Sequence, residues 1–311
     1  MTERLAAIDV GTNTARLLIG SLDGTLPLQP LLLKRIITRL GGGFTRTTGL
    51  SPEAMERTIA ALHDFAGLIN RYGVTEVRAV TTSAVRDALN GRKFSDEVSA
   101  RTGIHLDIID GKEEGLLTLK GVLAGMETRS VENFLFDVGG GSTEYILSQG
   151  EKPLFTRSLP LGVVRLTEGK ITPASINDKI SRELSLLAGD LEDEGLKERV
   201  ERATLVGTAG TATTLAALQL KLEKYDSRKV NNYSLSLDEI KVILAQLLPM
   251  SPEDRLTVPG MEKGREDLII AGIYITIRTM ELFGFKQLKV SDYGLLEGLL
   301  STMADRLGRH H

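Results

Sequence analysis

The sequence predicts an α/β protein made of two similar domains with mixed sheets. Three observations lead there. Short apolar runs alternate with segments of helical spacing along the chain. An order β-β-β-α-β-α-β-α starts at Leu5, and a similar order starts again at Phe134. Each half opens on a strand that stops at Asp-Val-Gly and turns through polar residues. These turns are Asp9-Val10-Gly11-Thr12-Asn13-Thr14 and Asp137-Val138-Gly139-Gly140-Gly141-Ser142-Thr143.

In the first half, Leu5–Val10, Ala15–Gly20 and Leu28–Thr38 read as strands. Ser51-Pro52-Glu53 is a helix start, with a capping hydroxyl, proline in the first turn and an early carboxylate. Met55, Ile59, Leu62, Ala66 and Ile69 follow at helical spacing, and Gly73 ends the helix. A strand at Val77–Thr81, helices from Ser83 and over Phe94–Arg101, a strand at His105–Ile109 and a helix over Lys112–Leu123 complete this half.

In the second half, Phe134–Val138, Glu144–Leu147 and Pro153–Leu159 read as strands, and Ala174–Leu191 as a long helix. After a strand at Ala203–Val206, Gly207-Thr208-Ala209-Gly210-Thr211 leads into another helix. A strand at Gln287–Val290 precedes a helix over Gly294–Leu307. The boundary is expected in Gly125–Glu132, dividing residues 1–125 from 126–311, with the last helix free to pack back on the first domain.

The chain has 311 residues, which suits two domains of roughly 100–200 residues each. Hydrophobic residues at 41% and charged residues at 25% exclude a disordered or fibrous chain. Thirty-eight Lys and Arg against 41 Asp and Glu leave −3, so no global basic field recommends nucleic acid or a membrane. Cysteine is absent, which excludes disulfides, thiolate nucleophiles and Cys-ligated zinc and suits a cytoplasmic location. Of four histidines, His310 and His311 form a terminal pair that reads as a tail, so a His-rich metal site is not expected. The start MTERLAAIDV reads as a first strand and not a signal peptide. The apolar stretch Leu268–Ile277 is too short to span a bilayer.

A strand that stops at Asp and turns through Gly and Ser or Thr has a physical use. Glycine lets backbone N–H groups approach an anion, hydroxyls add donors, and the Asp can hold Mg²⁺ among waters. Two such turns in matching places, with a third at Gly207–Thr211, point to phosphate binding. The plainer alternatives are turn capping for Asp9 and Asp137 and a hairpin for Gly139–Gly141.

The chain resembles the exopolyphosphatase/guanosine pentaphosphate phosphohydrolase (Ppx/GppA) family of the actin-like ATPase superfamily. The residues that carry this run its whole length: Ala7-Ile8-Asp9-Val10-Gly11-Thr12-Asn13-Thr14, Arg39-Leu40-Gly41, Thr82-Ser83-Ala84-Val85-Arg86-Asp87-Ala88 and Gly111-Lys112-Glu113-Glu114. Further on stand Phe136-Asp137-Val138-Gly139-Gly140-Gly141-Ser142-Thr143-Glu144, Leu159-Pro160-Leu161-Gly162, Gly207–Thr211 and Gly264-Arg265-Glu266-Asp267-Leu268-Ile269.

The resemblance implies two actin-like (ribonuclease H-like) domains flanking a central cleft, and hydrolysis of a terminal phosphoanhydride there. Glu114 is similar to the family's catalytic base. Asp137 and Glu144 match its metal-associated carboxylates, and Asp9 is expected to join them. Thr12, Asn13 and Thr14 are expected to cradle phosphates, as are Gly139, Gly140, Gly141 and Ser142, and Gly207, Thr208, Gly210 and Thr211. Arg86 stands at the place of a phosphate-binding arginine, and Arg16, Arg39 and Arg265 are expected as further anion contacts. The implied cofactor is Mg²⁺, with Mn²⁺ as alternative. The implied ligand is inorganic polyphosphate or (p)ppGpp, without nucleic acid or membrane, and a homodimer is the base-rate expectation.

Plain alternatives remain for single residues. Carboxylates at Glu113 and Glu114 are favoured in a first helical turn anyway. Arg86 could be a solvated residue paired with Asp87, and Glu144 could face solvent on an edge strand. The Glu192–Glu194 run reads as a solvated helix end. From Gly24 to Pro52 the chain has no acidic residue but carries Lys34, Arg35, Arg39 and Arg46. That stretch is either a landing patch for a polyanion or a strand edge guarded by charge.

Longer members carry appended helical domains, so the chain is similar to the short form. Where many members read Gly-Leu-Arg-Glu-Gly, it has Gly294-Leu295-Leu296-Glu297-Gly298, so the basic residue that could contact an anion there is replaced by Leu296. The leading expectation is a Mg²⁺-dependent exopolyphosphatase acting on short chains, with pppGpp 5′-phosphate hydrolysis as competitor. A small-molecule kinase of the same superfamily and a non-catalytic ppGpp sensor are the other readings.

Overall fold

The computed structural model describes residues 3–22, 29–45, 47–127, 130–168 and 173–308. Leu28, Arg46, His310 and His311, which figure in the expectations above, lie outside the described residues.

The chain opens with three antiparallel strands, β1 (Glu3–Val10), β2 (Thr14–Leu22) and β3 (Gln29–Ile37). In α1 (Pro52–Tyr72) the Ser51 side chain accepts the Ala54 amide, and Gly73 closes the helix at φ +60°. Then follow β4 (Glu76–Thr81), α2 (Ser83–Arg86), α3 (Gly91–Thr102), β5 (Leu106–Ile108) and α4 (Gly111–Gly125). The strands form one sheet in the order β3-β2-β1-β4-β5, with β4 and β5 parallel to β1.

The second half contains β6 (Glu132–Val138), β7 (Thr143–Gln149), β8 (Lys152–Leu159), α5 (Val163–Glu168), α6 (Pro173–Asp193), α7 (Lys197–Arg202) and β9 (Thr204–Thr208). It continues with α8 (Ala209–Gln219), α9 (Ser227–Val230), β10 (Ser234–Ser236), α10 (Leu237–Leu247), α11 (Pro252–Arg255), α12 (Ile269–Phe283) and β11 (Gln287–Val290). Helix α13 (Leu295–Gly308) ends the described chain. The second sheet runs β10-β11-β9-β6-β7-β8, so its last five strands repeat the first sheet's arrangement and β10 is an added edge.

Two compact units result: residues 1–121 with 295–311, and residues 122–294. The change from the first to the second falls inside α4, a few residues before the boundary expected from sequence, and α13 belongs to the first unit. Within that unit β1 is buried on both faces, which its near-continuous apolar run foreshadows. Ala6, Ile8 and Val10 meet Phe65 and Phe94 of α1 and α3, while Leu5 and Ala7 meet Leu296, Leu299 and Met303 of α13. Leu296, at the position where an arginine was in question, is 2% exposed in this core. Helix α13 approaches α4 so closely that a Cβ on Gly298 would lie 1.8 Å from the Leu117 carbonyl oxygen.

In the second unit Phe134, Phe136, Tyr145 and Leu147 pack under α8, α10 and α12. Phe134 meets Phe283 edge-on at 5.0 Å. Residues 268–277 are apolar because α12 is buried in this core. Among the described residues no helix is long and apolar enough to cross a membrane. The simple repeat expected for this half is thus enlarged by β10, α10 and α12. Helix α10 had a readable signal, the reciprocal capping box of Ser236 and Glu239.

Candidate active site

Both Asp-Val-Gly turns are β-hairpin loops closed by the same bond. The Gly11 amide donates to the Thr14 carbonyl at 3.0 Å, and the Gly139 amide to the Ser142 carbonyl at 3.0 Å. The hairpin alternative therefore holds for Gly139–Gly141, and it leaves the small residues at the loop tip.

In the first unit the loop is held by its carbonyls. Thr12 accepts from the Gly41 amide at 2.8 Å, and Asn13 accepts from Thr38 and Arg39 at 3.0 and 2.9 Å. This brings Arg39, at φ +46°, beside the loop. A Cβ on Gly41 would fall 2.2 Å from the Thr12 methyl, so a larger residue there would have to displace that side chain. The Thr12 hydroxyl lies 3.2 Å from that of Ser83, which opens α2.

The single turn of α2 ends on Arg86. Its Nη1 donates to the Ile109 carbonyl at 3.0 Å and lies 3.7 Å from Glu114 Oε2, and its Nε lies 3.7 Å from Asp87. The Asp87 pairing considered from sequence is therefore present together with the contact to Glu114. At the start of α4, Asp110 accepts the Glu113 amide through its side chain at 2.8 Å. Glu113 turns outward to Arg78 at 2.8 Å, whereas Glu114 is 8% exposed. Across the hairpin Asp9 accepts both Nε and Nη2 of Arg16, at 2.9 and 2.5 Å.

In the second unit the equivalent cross-strand pair is Asp137 and Glu144. They are 8% and 1% exposed, so Glu144 does not face solvent. Two acidic side chains directly opposite on a sheet repel each other. Two hard oxygen donors side by side could hold a divalent cation such as Mg²⁺, which takes few carboxylates. Among the described residues no group of three or more metal-ligating side chains is gathered.

The Val163 and Val164 amides at the start of α5 donate to the Gly139 and Gly140 carbonyls at 3.0 and 2.9 Å. Gly162 passes so near that a Cβ would lie 2.2 Å from the Gly140 oxygen. Thr208 is the direct neighbour of Asp137 in the parallel β9–β6 pair, and its hydroxyl donates to the Tyr293 carbonyl at 2.8 Å. Over the start of α8 the Arg265 guanidinium covers Gly210, where a Cβ would meet Cζ at 1.7 Å. Arg265 Nε also donates to Glu262 at 3.2 Å. Thr211 is buried under Gly272 of α12.

The structure thus gathers Thr12, Asn13, Thr14, Arg16, Asp9 and Arg39 around one loop, with Arg86 and Glu114 linked to it through α2. It gathers Asp137, Glu144, the Gly139–Ser142 loop, Thr208, Gly210 and Arg265 in the other unit. Lys34 and Arg35 stand on the edge strand β3, and Arg35 lies opposite Arg16 in the β2–β3 register. A surface groove of about 610 Å³ lined by Lys34, His63, Asp64 and Arg71 contains none of the expected site residues. Sequence reasoning passed over Ser158, which donates to Glu144 at 2.7 Å; its place just before Leu159-Pro160-Leu161-Gly162 was the available signal.

The chain is 33% identical over 316 residues to exopolyphosphatase 2 of Mycobacterium tuberculosis, covering 97% of this chain and 98% of that protein. It is 32% identical to the bifunctional 3-dehydroquinate synthase/phosphatase of Fusobacterium nucleatum, matching 95% of this chain but spanning only 46% of that longer protein. A solved structure of the Aquifex aeolicus Ppx-GppA enzyme is 35% identical with a TM-score of 0.76, covering 97% of this chain and 100% of that one. The model of the Ppx/GppA phosphatase family matches residues 18–307. With its paired glycine hairpins and buried acidic pair, the chain belongs to the Ppx/GppA phosphatase family.

Proposed function

We propose that this protein hydrolyses the terminal phosphoanhydride of inorganic polyphosphate and releases orthophosphate. The observation that carries this is the buried Asp137–Glu144 pair beside a glycine hairpin, in a chain similar over nearly its full length to an exopolyphosphatase. Short chains are the preferred substrate, because a net charge of −3 gives no extended field to grip a long polyanion.

In this scheme Glu114 takes a proton from water as the water oxygen bonds to the terminal phosphorus. The bridging P–O bond breaks, the shortened chain leaves as an oxyanion, and the proton passes on to solvent. Arg86, beside Glu114, offsets charge on the terminal phosphate. Thr12, Asn13 and Thr14 hold phosphate oxygens, as do Gly139–Ser142 and Gly207–Thr211, with Arg39 and Arg265 adding positive charge. Asp137 and Glu144 would hold Mg²⁺ or Mn²⁺, which when bound neutralises charge on the transferring phosphoryl group. Asp9, expected from the sequence to join the metal carboxylates, is bonded to Arg16 and in this scheme serves the site by orienting that guanidinium.

The same machinery suits the 5′-phosphoanhydride of pppGpp. One observation favours a nucleoside: Tyr293, 37% exposed, is tied to the Gly207–Thr211 loop through Thr208. Orthophosphate release measured side by side on long polyphosphate, short polyphosphate and pppGpp, with Mg²⁺ or Mn²⁺, tests both. Fastest turnover of short polyphosphate is the expected outcome, and no turnover of any of the three sinks the proposal.

A further inference from the structure

We infer that Ser158 is a positioning residue that aims the Glu144 carboxylate at the cation. This rests on the proposal that Asp137 and Glu144 hold a divalent metal. Four strands carry one row of directly paired residues: Thr208 on β9, Asp137 on β6, Glu144 on β7 and Ser158 on β8. Directly paired residues project to the same face of a sheet, so these side chains are neighbours in line.

Strand β8 is anchored by Phe155 and Leu159, whose side chains enter the core of the second unit. Side chains alternate along a strand, so this anchoring turns Ser158 to the opposite face, where Glu144 stands. There the Ser158 hydroxyl donates to Glu144 Oε1 at 2.7 Å, a short bond of the charge-assisted kind. Glu144 is 1% exposed, so bulk water does not reorient it. Holding one carboxylate oxygen sets the direction of the other.

The serine is not a demand of the fold. In the first unit the corresponding row is Val80, Asp9, Arg16 and Arg35. The position of Ser158 is occupied there by an arginine, next to an arginine in the place of Glu144. The hydroxyl is therefore matched to the carboxylate beside it. Hydrogen-bond partners of metal ligands typically change metal affinity about 10–100-fold when removed.

The test is Mn²⁺ binding to the full-length protein, followed by the electron paramagnetic resonance signal of free Mn²⁺. Parent, Glu144→Gln, Ser158→Ala and Ser158→Thr are compared, with thermal melts in the absence of metal. Ser158→Ala should weaken Mn²⁺ binding about tenfold or more while melting close to the parent. Ser158→Thr, which keeps the hydroxyl on a residue suited to strands, should restore binding to within about threefold of the parent. The Mg²⁺ concentration for half-maximal activity should rise in Ser158→Ala, with kcat at saturating Mg²⁺ little changed. Parent-like Mn²⁺ binding by Ser158→Ala overturns the inference, and so does a Ser158→Thr variant as weak as Ser158→Ala. If the parent binds no Mn²⁺, or Glu144→Gln binds it equally well, the metal assignment itself fails and the inference falls with it.

Discussion

Asp137 and Glu144 oppose each other across an antiparallel pair in the same seven-residue relation that joins Asp9 to Arg16. One duplicated hairpin has thus produced an acid–base pair in the first unit and an acid–acid pair in the second. The first is satisfied internally by two hydrogen bonds to one carboxylate. The second is the pair proposed to hold the divalent cation. Asp137→Asn should therefore raise the Mg²⁺ concentration needed for activity or abolish turnover. An unaltered Mg²⁺ dependence of phosphate release would reduce Asp137 to a residue that caps its turn.

Glu114→Gln keeps the size of the side chain and removes its ability to take a proton. Turnover should fall by about 10²–10⁴-fold, the usual contribution of a positioned base. Polyphosphate affinity, measured by calorimetric titration, should stay within a few-fold of the parent. Lost binding with an unchanged residual rate would contradict the role given to Glu114.

Arg86→Ala should act chiefly on substrate capture. Loss of a charged hydrogen-bonding partner is worth roughly 1.5–3 kcal/mol, so KM should rise about tenfold or more with a smaller change in kcat. Steady-state kinetics on short polyphosphate separate the two. A fall confined to kcat would place Arg86 with Glu114 in the chemical step instead.

The capping box of α10 offers a check independent of activity. Ser236→Ala should cost about 1 kcal/mol in urea unfolding. Hydrogen bonds from the Ser236 amide and hydroxyl, with a smaller one from Gln219, hold the Glu239 carboxyl below its ordinary value of 4.5. A carboxyl depressed in the folded state stabilises above its unfolded pKa and loses that contribution as pH falls through its folded value. Glu239→Ala should thus be less stable than the parent at pH 7, with the gap closing below pH 4.5. A gap that stays constant to pH 3 would show that the carboxylate charge adds nothing.

Much of the fold was legible because its signals are local. Ser51, Pro52 and Gly73 bound α1 through caps that act within a few residues. The two glycine hairpins and the apolar strands leading into them are likewise short-range features. Helix α12 was not legible, since a helix buried on most sides loses the one-sided period that marks a surface helix. Strand β10 has three residues, too few for an alternation to register.

By itself the sequence determined the α/β class, the duplication, both phosphate-type loops and the candidate acids and arginines. Those follow from backbone freedom at glycine, side-chain period and residue chemistry, all set within a few positions along the chain. Only the tertiary structure decided that Glu114 is buried while Glu113 pairs outward with Arg78, since helix packing sets which face of α4 is covered. It also assigned Arg16 to Asp9, Ser158 to Glu144 and Leu296 to the core beneath α13. These relations depend on strand register and on which helix covers which face of a sheet. Hydrogen-bond ladders and burial enforce both over long sequence separations, and so no local pattern announces them.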